Sequence, residues 1–169
     1  YKRQAGYAGE LGHVRISENA IKDYSGLGGT LESLVRRDDL LDVFKLYAAT
    51  DDELLVEISR TQAAKAVKLI ESQIDNLAAA LGNFVNIFNP QVIILGGFIA
   101  GLFARDSERL LTGLRSNSLA AANERVIIRE GGLGSNLLMI GAALLPFNDL
   151  TANPSTTQLY PAKEKAAKS

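Results

Sequence analysis

One long amphipathic segment, stopped by a helix breaker, constrains the fold of this chain more than any other feature. From about Arg60 to Phe88, apolar residues recur at alternating steps of three and four, which is the spacing of one helix face. Pro90 cannot continue a helix, so the pattern predicts that the helix ends at Asn89. A helix of this length spans roughly 40 Å and needs a core that covers its apolar face. That face comprises Val67, Ile70, Ile74, Leu77, Leu81, Phe84 and Phe88.

Two short apolar runs follow this helix and predict a sheet. Residues 91–95 and 125–129 are rich in Val and Ile, and we interpret both as strands that are buried on both faces. Between them, leucines at helical spacing predict a helix over 106–114. A closing helix over 136–145 follows the second strand and is predicted to end at Pro146. The order helix, strand, helix, strand, helix predicts an α/β fold with a largely parallel sheet.

The first sixty residues carry weaker patterns. Residues 11–17 alternate like a short strand, and residues 19–29 form a loop rich in glycine and polar residues. Helices are predicted to begin at Thr30, at about Asp38 and at the acidic run 51–53, because acids are favourable at a helix N-terminus.

The end of the chain differs in composition. From Thr151 onward the sequence is polar and has no periodicity, so it holds too little apolar surface to order itself. We therefore assign residues 1–148 to one domain and predict that residues 149–169 form a polar, poorly ordered tail.

The composition excludes several classes of site and partner. The chain has no cysteine and one histidine, His13, which excludes disulfides, iron–sulfur clusters, thiol nucleophiles and metal sites with two imidazoles. With 18 basic and 19 acidic residues, the net charge of −1 gives no electrostatic reason to expect a nucleic-acid or membrane partner. The uncharged stretch 76–104 is interrupted by Asn89-Pro90, which argues against a membrane span. Without a signal-peptide pattern, the sequence predicts a soluble, cytoplasmic protein.

A glycine-flanked segment near the start carries two candidate binding groups. Glu10 and His13 lie three residues apart between glycines, and together they can offer an acceptor and a donor to one polyhydroxyl ligand. Solvated loop side chains explain the same residues just as well. Glu32, in the first turn of its predicted helix, is on its own typical of a surface acid that favours the helix dipole.

Two glycine clusters follow the predicted strands. Gly96-Gly97 and Gly132-Leu133-Gly134 would each let a phosphate or an adenosine approach the backbone. Neither matches the Walker A loop or the dinucleotide-binding fingerprint. Tight turns at strand ends explain both just as well.

Four motifs in a fixed order resemble the signature of the ROK family, which comprises repressors, open reading frames and sugar kinases. The first two are Ala-Gly-Glu-Leu-Gly-His at 8–13 and Ser-Gly-Leu-Gly-Gly-Thr-Leu-Glu at 25–32. The third is the helix end and strand at 81–97, with its Asn-Pro and Gly-Gly pairs, and the fourth is the last helix, which begins near 134. Together the motifs cover about residues 6–145.

The resemblance implies an α/β fold of the actin-like, ribonuclease-H-like ATPase type, of which this chain corresponds to the C-terminal lobe. In ROK members the Glu and His of the first motif, and the Glu that closes the second, contact sugar hydroxyls. By position these residues are Glu10, His13 and Glu32. The turn at Gly96 and Gly97 matches the place where kinase members hold adenosine.

The chain departs from the family at its zinc motif. The family's three cysteines correspond to Asp23, Ser25 and Thr30, and its histidine ligand to His13. One imidazole, one carboxylate and two hydroxyls do not supply the soft tetrahedral site that zinc prefers. We therefore expect no zinc or other cofactor, a loop held by other contacts, and a His13 whose tautomer is set by hydrogen bonds.

The resemblance favours the sugar-sensing, effector-binding portion of a transcriptional regulator. The lost zinc motif, the acidic stretch 38–52 and the tail favour this over the C-terminal half of an ATP-dependent, glucokinase-like sugar kinase. A degenerate ROK-like scaffold that only dimerises is a third alternative. Nothing in the chain resembles the family's phosphate-binding or catalytic-Asp segments, so the piece is expected to lack kinase activity by itself.

The expected partners follow from this interpretation. The effector is a small sugar or sugar phosphate, and DNA is contacted only through a winged helix-turn-helix domain at the N-terminus that is absent from this chain. No membrane partner is expected. We expect a homodimer or higher oligomer, in which the helix over 60–88 is a candidate contact element.

Overall fold

The computed structural model describes residues 9–18, 21–132 and 137–152. The chain divides into two units, Tyr1–Ser135 and Asn136–Ser169, and the described part of the second unit is a single helix. A short 3₁₀ turn at Leu11–His13 precedes the regular elements of the described ranges. These are α1 (Leu31–Leu34), α2 (Arg37–Phe44), α3 (Asp51–Arg60), α4 (Ala64–Phe88), β1 (Val92–Leu95), α5 (Gly97–Arg105), α6 (Ser107–Ser116), α7 (Ala120–Asn123), β2 (Ile127–Glu130) and α8 (Leu137–Ala152).

The long helix α4 ends where the sequence predicts but begins later. Its C-cap is Asn89, whose φ of 44° lies in the left-handed region where helices commonly terminate. The periodic pattern from Arg60 runs across a break between α3 and α4, so the predicted single helix is wrong at its start. The guanidinium of Arg105 donates to the carbonyl oxygens of Ser59 (2.6 Å) and Thr61 (3.0 Å). These bonds satisfy the C-terminal carbonyls of α3 and stabilise the break.

The predicted apolar face of α4 lies at the centre of the core. Ile70, Ile74, Leu77 and Leu81 are at most 5% exposed, whereas Phe88 in the last turn is 57% exposed. The helix packs against α1, α2, α5 and α6. The prediction of a central core helix is therefore confirmed along all but the end of its length.

The approach between α4 and α6 is close. A Cβ added to Gly82 would lie 2.6 Å from the Cβ of Asn117 and 3.0 Å from its carbonyl oxygen, so only glycine fits there without a backbone shift. Arg109 of α6 also donates to both carboxylate oxygens of Asp75 on α4, at 2.6 and 2.7 Å. Close backbone packing and a two-point ion pair together fix α6 on α4.

The two strands form a parallel pair, with Val92 opposite Ile127. The order of elements and the parallel pairing confirm the predicted α/β architecture. The prediction that both strands are buried on both faces is wrong, because Val92, Ile94 and Ile127 are 46%, 67% and 49% exposed. Successive side chains of a strand point to opposite faces of the sheet. Among the described residues of the first unit, helices cover only the face of the sheet that carries Ile93.

Capping side chains set the starts of two helices where the sequence predicts them. The hydroxyl oxygen of Thr30 accepts from the backbone N–H of Ser33 at the start of α1. At α3, Thr50 and Glu53 form a reciprocal capping box. The backbone N–H and then the hydroxyl of Thr50 donate to Glu53, and both bonds lower the pKa of that carboxyl below its ordinary value. The acidic residues 51–53 are thereby explained by helix initiation.

Two other predicted elements differ from the structure. Residues 11–17 form the 3₁₀ turn and a single bridge between Arg15 and Thr30 rather than a strand. The helix α5 begins directly after Gly96, where the sequence analysis placed only a turn. The burial of Leu102 in this helix depends on contacts with neighbouring helices, and a local sequence pattern does not reveal such contacts.

The last described helix, α8, continues through Pro146 to Ala152, so the predicted end at Pro146 is wrong. Proline removes one backbone donor, and the last turn is supported by the hydroxyl of Thr151, which lies 3.0 Å from the carbonyl oxygens of both Phe147 and Asn148. Residues 153–169 of the predicted tail lie outside the described residues. Among the helices described here, none combines the length and the apolar character that a bilayer crossing requires.

We predict that Gly82→Ala destabilises the protein by about 1–3 kcal/mol, because the added methyl group overlaps the backbone of Asn117. Alanine favours a helix over glycine by about 1 kcal/mol, so a loss of stability would isolate the steric effect. Chemical unfolding of both proteins measures the difference. The neighbouring Asn83→Ala serves as the control and is expected to change stability by less than about 1 kcal/mol. An unchanged or increased stability of Gly82→Ala would contradict this account of the α4–α6 contact.

Candidate functional site

Two segments near the start of the chain are held together by backbone hydrogen bonds. The N–H of Ile16 donates to the carbonyl oxygen of Gly29 at 2.9 Å, and that of Leu31 donates to Val14 at 3.0 Å. A bridge between Lys22 and Gly28 narrows the loop that joins the two segments. These bonds bring the 3₁₀ turn at 11–13 beside the start of α1.

This closure places two of the three predicted sugar-binding residues in contact. The Nδ1 atom of His13 lies 3.3 Å from the Oε2 atom of Glu32, and both side chains remain partly exposed. Gly12 lies beside this pair, and a Cβ at that position would be in ordinary contact with the same oxygen, at 3.4 Å. Glu10 is exposed at the start of the 3₁₀ turn, and its carbonyl oxygen accepts from the backbone N–H of His13 at 3.2 Å. The side chains of His13 and Glu32 are therefore brought together, and Glu10 is linked to them through its backbone.

Asp23 lies at the centre of this structure, and its side chain has no exposed surface. Its Oδ1 atom accepts from the backbone N–H and hydroxyl of Ser25, at 2.9 and 2.6 Å, and from the N–H of Leu27 at 3.0 Å. Its Oδ2 atom accepts from the hydroxyl of Thr30 at 2.8 Å and faces Nδ1 of His13 at 3.1 Å. One carboxylate thus joins all the positions that correspond to the family's zinc ligands.

The hydrogen bonds of Asp23 also determine its charge. Burial by itself raises the pKa of a carboxyl group, but hydrogen bonds from Ser25, Thr30, His13 and Leu27 outweigh it and hold the pKa of Asp23 well below its ordinary value. Asp23 is therefore ionised throughout the physiological range.

Tyr24 covers the other side of the imidazole. Its hydroxyl oxygen lies 3.0 Å from Nε2 of His13, and the two rings meet edge to face with their centroids 5.2 Å apart. The tyrosine side is open, since Tyr24 is 82% exposed. A ligand that displaced this ring would reach Nε2 of His13.

A cleft of about 550 Å³ begins at this site. Its walls carry charges of both signs and one aromatic residue. The lining residues are Lys22, Asp23, Tyr24, Glu32, Val35, Arg36, Arg37, Asp38 and Phe98. Phe98 directly follows the Gly96-Gly97 pair, so one cleft runs from Glu32 toward the second candidate site.

The Gly96-Gly97 pair lies at the carboxyl end of β1. The N–H of Gly131, just after β2, donates to the carbonyl oxygen of Leu95 at 2.7 Å, so both strands end at the same edge. Ligands of α/β sheets commonly bind outside this edge. Gly97 has a φ of +56°, and a Cβ there would lie 3.2 Å from a carboxylate oxygen of Asp51. An acid therefore already occupies the space beside this turn. Gly134 of the other predicted glycine cluster lies outside the described residues.

Within the described residues, the side chains of His13, Asp23 and Glu32 form a group that could coordinate a metal, with their ligating atoms within 4.8 Å of one another. The donor set fits zinc poorly. A closed structural zinc site takes four ligands with sulfur and nitrogen preferred, and both oxygens of Asp23 already accept hydrogen bonds from the protein.

The roles of Asp23 and Tyr24 were not predicted from the sequence. Asp23 was identified only as the position of a missing cysteine, and Tyr24 was not considered. The Asp-x-Ser spacing is a signal that could have suggested a local turn, since aspartate often accepts from the backbone two residues on. Nothing in the sequence indicated that the same carboxylate reaches His13.

Comparisons with known proteins agree with the motifs. The sequence model of the ROK family matches residues 2–147. A xylose repressor from Caldicellulosiruptor bescii is 26% identical over 91% of this chain and 42% of its own length. An N-acetyl-D-glucosamine kinase from Pectobacterium atrosepticum is 30% identical over 85% of this chain and 51% of its own length. The chain therefore spans about half the length of these curated relatives, or less.

A solved structure gives the same result for the fold. The ROK hexokinase from Thermus thermophilus superposes on the chain with a TM-score of 0.65 at 25% identity, covering 90% of this chain and 51% of that one. This likeness confirms the actin-like α/β fold of the ATPase type that the motifs imply.

We predict that the stabilising effect of Asp23 disappears in acid. Because its folded-state pKa is depressed, its contribution is fully present above the pKa of an unfolded aspartate, about 3.9, and is lost as the pH falls through the lower folded-state pKa. The difference in melting temperature between the wild-type protein and Asp23→Asn should therefore be largest at neutral pH and shrink below about pH 4.

Thermal unfolding between neutral pH and about pH 2 measures this difference. The control is Asp38→Asn, which removes the same charge from a side chain that is 75% exposed in the same cleft. A difference for Asp23→Asn that stays constant over the whole pH range would contradict the role assigned to the ionised carboxylate.

Proposed function

Because this chain belongs to the ROK family, whose relatives here include a xylose repressor and a sugar kinase, we propose that it is the sugar-binding portion of a ROK-type transcriptional regulator. The observation that supports a sugar site is the meeting of His13 and Glu32, whose Nδ1 and Oε2 atoms lie 3.3 Å apart. The adjoining cleft of about 550 Å³ lies within the range typical of small-molecule sites.

The site offers the chemistry that a sugar ring needs. Each ring hydroxyl can both donate and accept, and the carboxylates of Glu10 and Glu32 are acceptors while His13 contributes a ring nitrogen. Hydrogen bonds to charged groups are stronger and more directional than neutral ones. The carboxylate of Glu32 and the imidazole of His13, which are held against each other, would therefore distinguish sugars by the orientation of their hydroxyls.

The cleft suits a sugar or a sugar phosphate. Arg37 donates to Asp51 at 2.7 Å and to the carbonyl oxygen of Ala49 at 2.7 Å, so its charge is already engaged. Arg36 lies 3.3 Å from a carboxylate oxygen of Asp39. Lys22 is the remaining basic residue of the lining and the candidate ligand for a phosphate.

Departures of the sequence from the family pattern favour a regulator over a kinase. The zinc motif of the family is lost, and the stretch 38–52 is acidic. Both features support a domain that senses a sugar without phosphorylating it.

A regulator of this kind would act by a shift in populations. Sugar bound at one lobe would favour one angle between the lobes of the complete protein. In a homodimer in the cytoplasm, that angle would set the spacing of two DNA-binding heads carried outside this chain. Sugar and DNA would then change each other's affinity by the same factor.

Two other functions would have different consequences for ligand binding. The chain could be the C-terminal half of an ATP-dependent sugar kinase, for which the strand-end turn at Gly96 and Gly97 is the supporting feature. It could also be a scaffold that binds no sugar and only dimerises.

We predict that titration calorimetry with pentoses, hexoses and N-acetylhexosamines detects at least one sugar ligand, and xylose is the first to test because a xylose repressor is among the relatives. Glu32→Gln should weaken binding about ten- to a hundredfold, since a hydrogen bond to a charged group contributes about 1.5–3 kcal/mol. His13→Ala should weaken binding about two- to tenfold, since a hydrogen bond to a neutral group contributes about 0.5–1.5 kcal/mol. Glu124→Gln, an exposed acid far along the chain on α7's C-cap, is the control and should bind like the wild type. No heat with any sugar would favour the scaffold.

We predict that the complete protein releases DNA when the sugar binds and forms no ADP from ATP and magnesium in the presence of that sugar. The physical reason is that a sugar which binds better to one arrangement of the lobes shifts the equilibrium that also sets the affinity for DNA. A gel-shift titration and a coupled ADP assay measure the two outcomes. Sugar-dependent ADP formation without any effect on DNA binding would establish the kinase alternative instead.

A further inference from the structure

The hydrogen bonds of Asp23 determine where the protons of the surrounding groups lie. An ionised carboxylate can only accept, so every polar atom that bonds to it must donate. The hydroxyl of Thr30 meets this condition, because its oxygen accepts from the backbone N–H of Ser33 at 3.2 Å while its proton points to Asp23 at 2.8 Å. The N–H groups of Ser25 and Leu27 are obligatory donors. Each of these groups therefore donates its own proton to Asp23, and no two of them share one proton.

The same condition applies to His13. A neutral imidazole has one N–H and one lone pair. Its Nδ1 atom lies 3.1 Å from Oδ2 of Asp23 and 3.3 Å from Oε2 of Glu32, and both oxygens are acceptors, so Nδ1 must carry the proton. The lone pair is then on Nε2, which accepts from the hydroxyl of Tyr24 at 3.0 Å. One buried carboxylate thereby sets the polarity of the exposed side of the ring.

We infer that Asp23 is a positioning residue that takes the place of a metal ion at the centre of this site. It closes the loop at 21–30 through its bonds to Ser25, Leu27 and Thr30, and it holds His13 as the Nδ1–H tautomer. The Nε2 atom of His13 is consequently a hydrogen-bond acceptor for a ligand hydroxyl. Only the identity of that ligand rests on the function proposed above.

The metal-free arrangement and a metal-bound one exclude each other. A metal at His13, Asp23 and Glu32 would need the lone pair of Nδ1, which is the atom that must carry the proton when Asp23 accepts from it. On Oδ2 of Asp23, which also accepts from the hydroxyl of Thr30, the metal would take the place of the N–H of His13. The protonation of one nitrogen atom therefore distinguishes the two arrangements.

The inference predicts how a ligand hydroxyl binds. The hydroxyl of Tyr24 occupies the acceptor position of Nε2 and is the group that a ligand would replace. Because Nε2 accepts, the incoming hydroxyl must donate to it, and its own oxygen then remains available as an acceptor. A substituent that cannot donate, such as a methoxy group, would be rejected at this position.

Nitrogen-15 NMR can test the tautomer directly, because His13 is the only histidine of the chain. At about pH 8, where an imidazole is neutral, the wild-type protein labelled on histidine should show Nδ1 protonated and Nε2 unprotonated. Asp23→Asn should reverse this pattern, since its amide can donate to Nδ1 and leave that nitrogen as the acceptor. A wild-type Nε2–H tautomer, or an unchanged tautomer in Asp23→Asn, would overturn the inference.

Two further variants separate positioning from a merely structural role. Ser25→Ala removes a donor from Asp23 without touching His13, so it should lower the melting temperature but keep the Nδ1–H tautomer. Glu32→Gln removes the other carboxylate near Nδ1 and should also keep it. A reversed tautomer in Glu32→Gln together with an unchanged one in Asp23→Asn would assign the role to Glu32 and overturn the inference.

A metal titration provides an independent test. Dialysis of the wild-type protein against a chelator should change neither its melting temperature nor its histidine spectrum, and zinc added alone in equimolar amount should leave Nδ1 protonated. The triple variant with Asp23→Cys, Ser25→Cys and Thr30→Cys is the positive control and should bind zinc with loss of that proton. Destabilisation by the chelator, reversed by zinc in the wild type, would overturn the inference.

These measurements need no sugar, so their outcome is separate from that of the proposed function. A metal-free Nδ1–H tautomer in a protein that binds no sugar would support the inference and contradict the function. Sugar binding to a protein with the opposite tautomer would support the function and contradict the inference.

Discussion

Burial of one face of α4 is the constraint on which the remaining architecture depends. The face is continuous over most of a 25-residue helix, so several elements must cover it at once, and α6 packs closely on it because Gly82 has no side chain. The core also reaches the cleft. Gln73, buried on α4, donates to the carbonyl oxygen of Arg36 at 2.9 Å and fixes the chain between α1 and α2. The candidate site is thereby anchored to the rigid part of the fold.

The site itself is built from short segments that have little regular structure. A four-residue helix, a 3₁₀ turn and a narrow loop would not hold their positions through local propensity, because isolated elements of this length are unstable in water. Their order comes from two sources: backbone bonds between the two segments and the saturated carboxylate of Asp23. A buried acid is costly unless it is fully hydrogen-bonded, so the same bonds that stabilise the charge also specify one loop conformation. Site geometry and loop stability are therefore linked through one side chain.

Local patterns predicted the features that depend on local physics. The end of α4 at Asn89, the cap at Thr30 and the acidic start of α3 follow from the conformational limits of proline and from the unpaired N–H groups of a helix start. The prediction of a strand over 11–17 was wrong, because three apolar residues at strand-like spacing also suit a turn that packs against the core. Burial of both faces of the strands was predicted from composition, and composition does not state which elements cover a sheet. The helix α5 was missed because its glycine-rich start resembles a turn.

Four motifs in order were enough to predict the family, and with it the candidate residues Glu10, His13 and Glu32. The sequence also determined that cysteine ligands are missing. What replaces them emerged from the folded loop, since the partners of Asp23 lie up to ten residues before it and seven after it and meet only when the loop closes. The same is true of Asp51 beside Gly97, which are 46 positions apart in the chain. Local propensities act over a few residues, whereas the direction of a hydrogen bond and the closeness of two charges depend on coordinates in space.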